Sequence, residues 1–209
     1  MMLGARTAAW AKSGELLPYK RELAYIESYG SQYIEVGSIY GCETLSVTAA
    51  VTARPASGYC KLLGISYQSN LGDDIGVDAY KWGNNGQIDY TLNTFNEISL
   101  DKKQYGKWFV DGIPCTGASR TDFFFTGVAK NKMFCLFCGS NGTHAYITKS
   151  GNYQSFVGRI KSVKLNGGSL FDAIPVMSYD DEPCLYEKVS GVFFRNKGAG
   201  MFGWGELTA

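Results

Sequence analysis

The chain has 209 residues, of which 45% are hydrophobic and 19% charged, with a formal net charge of +1. That much apolar material fills a core and excludes a disordered chain, and the length suits one domain. A charge so near zero supplies no overall field to draw in nucleic acid or an acidic membrane.

Residues 1–20 stand apart. They carry Ala, Arg, Lys, Gly and a single Trp with no strand alternation. They lack the continuous apolar stretch of a signal peptide. No run in the chain approaches the ~18 apolar residues of a membrane span. The expectation is cytosolic synthesis without membrane insertion. The segment reads either as a flexible leader or as an arm that orders on a partner. In the second case Trp10 is the anchor and Arg6 and Lys12 are flanking charges, because a lone tryptophan among small residues needs something to cover it.

From Leu23 the pattern turns periodic. Residues 25–28 and 32–36 are short β runs split by Gly30. Leu45, Val47, Ala49 and Val51 alternate onto one strand face. Strands follow at 62–67, 75–82 and 87–92. Turns are expected at Ser57-Gly58, at Asn70-Leu71-Gly72-Asp73 and at Gly83-Asn84-Asn85-Gly86, the last a hairpin loop. Residues 97–100 and 107–110 continue the set, with Asp111-Gly112 as a turn. Further strands fall at 123–125, 133–138 and 145–147. The run 156–165 alternates through Val157, Ile160, Val163 and Leu165, with a slip at Gly158. Asn166-Gly167-Gly168 is a turn. Strands at 170–176, 184–186 and 192–194 close the chain. Twenty-six glycines and 14% aromatics fit many strands and many turns. A dozen short strands at this spacing predict an all-β sandwich or barrel.

The chemistry on offer is thin. The one histidine, His144, lies in a loop-like Asn141-Gly142-Thr143-His144. Cys135-Leu136-Phe137-Cys138 matches C-x-x-C but sits in a strand-like run rather than at a helix start. The six cysteines (Cys42, Cys60, Cys115, Cys135, Cys138 and Cys184) are expected as reduced, mostly buried thiols. The acidic cluster Asp73, Asp74 and Asp78 offers hard oxygen ligands to calcium, yet it lacks the D-x-D-x-D-G loop and its distal Glu. A solvated turn is the alternative, and no cofactor is expected. Asp180-Asp181-Glu182 is a second acidic loop. Glycoside hydrolysis needs two facing carboxylates. The nearest local text, Gln87-Ile88-Asp89-Tyr90-Thr91-Leu92, has neither acid of an E-x-D-x-x-E strand.

Sugar recognition needs flat rings beside directional hydrogen-bonding groups. Tyr80, Trp82, Asn84, Asn85 and Gln87 crowd one predicted hairpin and form the candidate glycan patch. The opposing reading is that Tyr80 and Trp82 share one strand face and pack in the core. The basic residues Lys102, Lys103, Lys130, Lys132, Lys161 and Lys164 are scattered along the sequence, so no nucleic-acid partner is expected.

Three segments carry a family resemblance in order. LAYIESYGSQYIEVG (23–37) resembles the opening strand-turn-strand of laminin-G-like jelly rolls, with Glu35-Val36 where the common form has Asp-Thr. WFVDGIP (108–114) is similar to that family's central hairpin. Residues 158–202, from GRIKSVKLNGG to VSGVFFRNKGAGMF, resemble its closing strands. The resemblance is to laminin-G-like, concanavalin A-like jelly-roll proteins of phages and gut-bacterial prophages, over about residues 23–203. It implies a two-sheet antiparallel β-sandwich at 21–209 behind a short N-terminal arm at 1–20, with both termini near one end and no enzymatic activity. It further implies a virion structural or decoration protein, assembled in the host cytoplasm. The arm would meet other virion proteins, the sandwich could meet host-surface glycans, and the chain would form a homo-oligomer. A bacterial carbohydrate-binding module and a glycoside hydrolase of the same fold are the alternatives.

Overall fold

The computed structural model describes residues 16–37, 42–55, 59–66, 72–77, 80–82, 88–101, 103–104, 108–115, 134–140, 145–146 and 153–207. Among these the chain is all-β, as the strand spacing predicts, and of the two expected forms, sandwich or barrel, it is a sandwich of two sheets.

The larger sheet runs from β11 (Ile113–Cys115) through β10 (Trp108–Val110), β9 (Phe95–Asp101), β4 (Thr44–Val51), β16 (Val157–Leu165), β17 (Phe171–Met177) and β18 (Pro183–Glu187) to β19 (Val192–Phe194). Three more strands join it off this path: β1 (Arg21–Glu22), β2 (Tyr25–Tyr29) and β20 (Gly203–Gly205). The second sheet runs β3 (Ile34–Gly37), β12 (Phe134–Leu136), β5 (Tyr59–Ser66), β6 (Gly72–Val77), β7 (Lys81–Trp82) and β8 (Ile88–Asp89). There β15 (Tyr153–Ser155) pairs in parallel with β5, against the antiparallel rule elsewhere. A ribbon of β13 (Gly139–Ser140) and β14 (Ala145–Tyr146) stands beside them.

The opening and closing segments meet in one layer. β16 pairs with β2 over Val157–Ile160 and with β17 over Val163–Leu165. The N-terminal run therefore enters the fork where β16 and β17 splay, and β1 pairs with the far end of β17. On its other edge β2 takes β20. Arg21 and Glu206 form an ion pair at 3.0 Å, so the first and last described stretches lie side by side.

Two polar side chains latch this junction. Gln32 Oε1 accepts the Tyr29 amide at 2.8 Å, and its Nε2 donates to the Ala199 carbonyl at 2.9 Å. Asn196 Oδ1 accepts the amides of Tyr33 and Gly198 at 3.1 and 2.8 Å, and its Nδ2 donates to the Gly200 carbonyl at 2.7 Å. Both residues belong to the motif segments that carry the family resemblance. Their work here is to satisfy backbone groups at a turn, a need that buried peptide groups cannot leave unmet.

Alternation explains the core. β4 buries Leu45, Val47, Ala49 and Val51, as predicted. The inner faces pool these with Ile160, Val163 and Leu165 of β16 and with Leu62, Trp82, Phe134 and Leu136 of the opposite sheet. Phe156 fills the middle, 6.3 Å from both Trp82 and Phe137. The slip in β16 falls at Lys161 rather than at Gly158. Ile160 pairs with Ala49 and Ser162 with Thr48, so Lys161 is the extra residue of a β-bulge. Gly158 is itself an inward position. A Cβ there would lie 2.3 Å from the Ala50 carbonyl oxygen and 2.4 Å from the Phe156 ring.

Turn chemistry agrees with expectation at two places. Asp111 and Gly112 have φ of 50° and 77°, which suits the tight β10–β11 hairpin. The Asn166–Gly168 turn turns its Asn166 Oδ1 back onto the amides of Glu43 and Thr44 at 2.7 and 3.1 Å. Other boundaries moved. The expected strand 75–82 divides into β6 and β7, and β6 starts at Gly72, inside the turn expected at Asn70–Asp73. The expected arm also gives up its last residues. Tyr19 is buried against Tyr186, with ring centroids 5.2 Å apart, and the Lys20 amide bonds the Met177 carbonyl. The strand 123–125 lies outside the described residues.

Glu187 is a buried carboxylate that ties the β18–β19 corner. It accepts the amides of Asp172, Val189 and Ser190 at 2.9, 2.8 and 2.6 Å, and the Ser190 hydroxyl at 2.5 Å. Burial pushes its pKa up, but these donors outweigh burial and hold it below the ordinary value. The folded state thus favours the charged form. Its stabilisation is complete above the unfolded carboxyl pKa of about 4.3 and is lost as pH falls through the lower folded value. Glu187→Gln should cost about 1–3 kcal/mol at pH 7. In urea titrations the gap to the parent should narrow as the pH is lowered to 3.

Candidate functional site

The predicted hairpin patch divides. Tyr80 is 62% exposed and carries the Arg54 guanidinium 4.9 Å from its ring centroid. Trp82 is fully buried. Its ring stacks on Phe156 and meets Tyr90 edge-on, and its Nε1 donates to Asn96 Oδ1 at 3.2 Å. The two share parity but not a face, because Tyr80 lies in a bend just before β7. Trp82 therefore cannot stack on a sugar. Asn84, Asn85 and Gln87 lie outside the described residues, although the flanking β7 and β8 do pair as a hairpin.

The remaining candidates sort in the same way. Arg6, Trp10 and Lys12 lie outside the described residues, as do His144 and Asp78. The backbone of Asp73 and Asp74 runs in β6, paired to β5, rather than in a loop. Among the described residues no group of three or more His, Cys, Asp or Glu gathers to hold a metal. All six cysteines are buried free thiols. Burial pushes Cys42, Cys60 and Cys184 up to about 11, which leaves them protonated at neutral pH. Cys135 lies in β12, and the strand ends one residue later, before Phe137, whose φ is 66°. Asp89 pairs with Lys81 at 3.8 Å. The acidic loop at Asp180 to Glu182 is occupied by cations: Asp181 bonds Lys20, and Asp180 and Glu182 both bond Arg195.

A different surface has been assembled by strand order. The outward positions of the larger sheet set Tyr25, Glu27 and Tyr29 of β2 beside Arg159 of β16 and Phe95 of β9. Arg159 Nε bonds Glu27 Oε2 at 3.1 Å, and its guanidinium carbon lies 4.4 Å from the Tyr25 ring centroid. Tyr25 and Phe95 reach each other across two intervening strands, with centroids 6.1 Å apart. Ala50, fully buried at this outward position of β4, leaves room for them to meet. At ~4.8 Å per strand the span from β2 to β9 is about 14 Å.

Glycine seats the tyrosines. Gly203 and Gly205 of β20 lie opposite Glu27 and Tyr25. A Cβ on Gly203 would fall 2.2 Å from the Tyr29 hydroxyl, and one on Gly205 would fall 2.3 Å from the Tyr25 ring. The rings thus lie across the edge strand instead of standing up from the sheet. Tyr29 remains 61% exposed.

The bulge adds charge. It turns both Lys161 and Ser162 outward, where Ser162 Oγ donates to Thr48 Oγ1 at 3.0 Å. Lys161 is exposed, with its Nζ 6.0 Å from the Phe95 centroid. Arg159, Lys161 and Lys164 thus line one strand face. Asp172 sits across from Lys164 but is already held by Lys188 at 2.5 Å. This group is not legible along the chain, since its members are up to 139 positions apart and only the order β2-β16-β4-β9 unites them. The one local signal is the outward alternation of Tyr25, Glu27 and Tyr29.

Chemically the face offers three rings, a guanidinium fixed by a partly desolvated carboxylate, two ammonium groups and a hydroxyl pair. It can stack and hydrogen-bond. No protein-family model matches the sequence, and no curated protein matches it. Among solved structures the chain is similar to Trypanosoma rangeli sialidase in complex with 2,3-difluorosialic acid, a covalent intermediate. The identity is 16% and the TM-score 0.39, over 65% of this chain and 20% of that one. It is similar to the same sialidase with 2,3-difluoro-KDN at 17% identity and TM-score 0.40, with the same coverage. With the inhibitor DANA the values are 16% and 0.36, over 63% and 20%. The chain spans about 20% of the length of these sialidase structures.

Proposed function

We propose that this chain is a non-enzymatic display module of a virion, in which the β-sandwich presents the outer face of its larger sheet to host-surface glycans. Residues ahead of the sandwich would join it to other virion proteins, and the particle would be assembled in the host cytoplasm. The observation that carries the glycan part is the half-buried pair of Tyr25 and Phe95 rings, tilted 46° to each other, beside the Arg159–Glu27 pair. Sugars stack C–H faces on rings while their hydroxyls take directional partners. Here both are held in place before a ligand arrives, which limits the ordering cost of binding. The virion part rests on the resemblance of the opening and closing motifs, which the fold joins in one sheet.

A glycan array probed with the full chain tests the reading. Binding to a defined glycan set is expected, and Tyr25→Ala and Phe95→Ala should each weaken it at least tenfold. Two variants guard against misfolding, since both must keep cooperative unfolding. Retained binding in both folded variants would overturn the site, and an empty array would overturn the glycan part of the reading.

A further inference from the structure

We infer that the outer face of the larger sheet selects acidic glycans, sugar chains that carry carboxylates, and this rests on the glycan reading above. The charge on the face carries it. Arg159, Lys161 and Lys164 line the outer side of β16, and Ser162 sits among them because of the bulge. Glu27 neutralises Arg159, and it is mostly buried in doing so. Asp172, across from Lys164, is taken by Lys188. Among the described residues neither Lys161 nor Lys164 has an ion pair, and Lys161 is exposed.

The two lysines are three residues apart, and the bulge brings them to less than about 10 Å along the strand. Two positive charges at that interval match anions spaced along a chain better than a single acid. The Tyr25 and Phe95 rings lie alongside, so a sugar face can stack while its carboxylate reaches an ammonium. The other border of the face is acidic, with exposed Glu97 on β9 and Asp111 in the next turn. That border disfavours a nucleic acid, whose phosphates carry a charge at every nucleotide and need a wide basic track. A carboxylated sugar chain that lies along β16 keeps its charges over the lysines and does not cross that border.

The test is calorimetric titration of the full chain with oligogalacturonate, with its carboxyl-reduced neutral counterpart, and with a single-stranded oligonucleotide, at low and high salt. Oligogalacturonate should bind at least tenfold more tightly than the neutral chain at low salt, and added salt should erode that preference. In the Lys161→Gln/Lys164→Gln double variant the preference should shrink to within threefold. Equal affinity for the acidic and neutral chains would overturn the inference and leave the glycan reading standing. Binding of neither chain would overturn both. Tighter binding of the oligonucleotide would overturn the inference in favour of a nucleic-acid surface.

Discussion

Gly198→Ala is expected to destabilise the fold by about 3–5 kcal/mol, among the largest effects of a single added methyl group. A Cβ at this position would lie 1.9 Å from the Ser31 carbonyl oxygen and 3.1 Å from the Gln32 Cα. Both neighbours are backbone, so no rotamer change relieves the overlap. The 31–33 and 196–199 segments would have to part. That motion breaks the bonds from the Lys197 amide to the Tyr33 carbonyl and from the Ala199 amide to the Ser31 carbonyl, at 2.9 and 3.0 Å. It also pulls Gln32 off Ala199 and Asn196 off Tyr33. Polar groups left without partners cost more than the bonds contributed. For a chain of this size the melting temperature should fall by roughly 10 °C. Urea unfolding measures the effect, and a loss below 1 kcal/mol would show that the junction is loose.

Trp82→Ala is expected to cost about 3–5 kcal/mol through lost burial and the cavity left behind. Trp82 bridges the layers. Its ring lies between Phe156 and Tyr90, and Nε1 reaches Asn96, which in turn donates from Nδ2 to Asp111 Oδ2 at 2.7 Å. Asp111 Oδ1 accepts the Glu97 amide at 2.7 Å, so one chain of bonds runs from the core ring to the β10–β11 turn. The exposed ion pairs are worth far less each. Trp82→Phe should recover much of the packing and leave Asn96 without its donor, at an intermediate cost. Because Trp82 lies in the core, whatever glycan affinity remains in the folded fraction should equal that of the parent. A loss of affinity with no loss of stability would return Trp82 to the binding surface.

The sandwich was legible wherever one strand face is oily and the other wet. Leu45 to Val51 shows this plainly, and Asp111-Gly112 and Asn166-Gly167-Gly168 marked their turns through backbone chemistry that few other residues allow. β20 was not legible, because Gly203-Trp204-Gly205 shows no alternation and becomes a strand only by pairing with β2. A glycine is the usual mark of a slip and points to Gly158, yet the bulge lies at Lys161, because the packing demand of Phe156 is invisible locally. Tyr80 and Trp82 share parity, but the bend at Tyr80 takes it off the face that Trp82 buries. Gln32 and Asn196 stood out only as parts of a resemblance; their latch needs the two ends of the chain in contact. The outer-face site was hidden for the same reason. Tyr25, Phe95 and Arg159 are distant in sequence, and the non-local order of four strands makes them neighbours.

The most direct test of the central claim, that the outer face of the larger sheet is the binding face, is amide chemical-shift mapping of the labelled chain during titration with oligogalacturonate. The shifts should concentrate on residues 25–29, 95–97 and 159–164. Shifts gathered instead around Tyr80 and the β7–β8 hairpin, with the β2 and β16 amides unmoved, would contradict it.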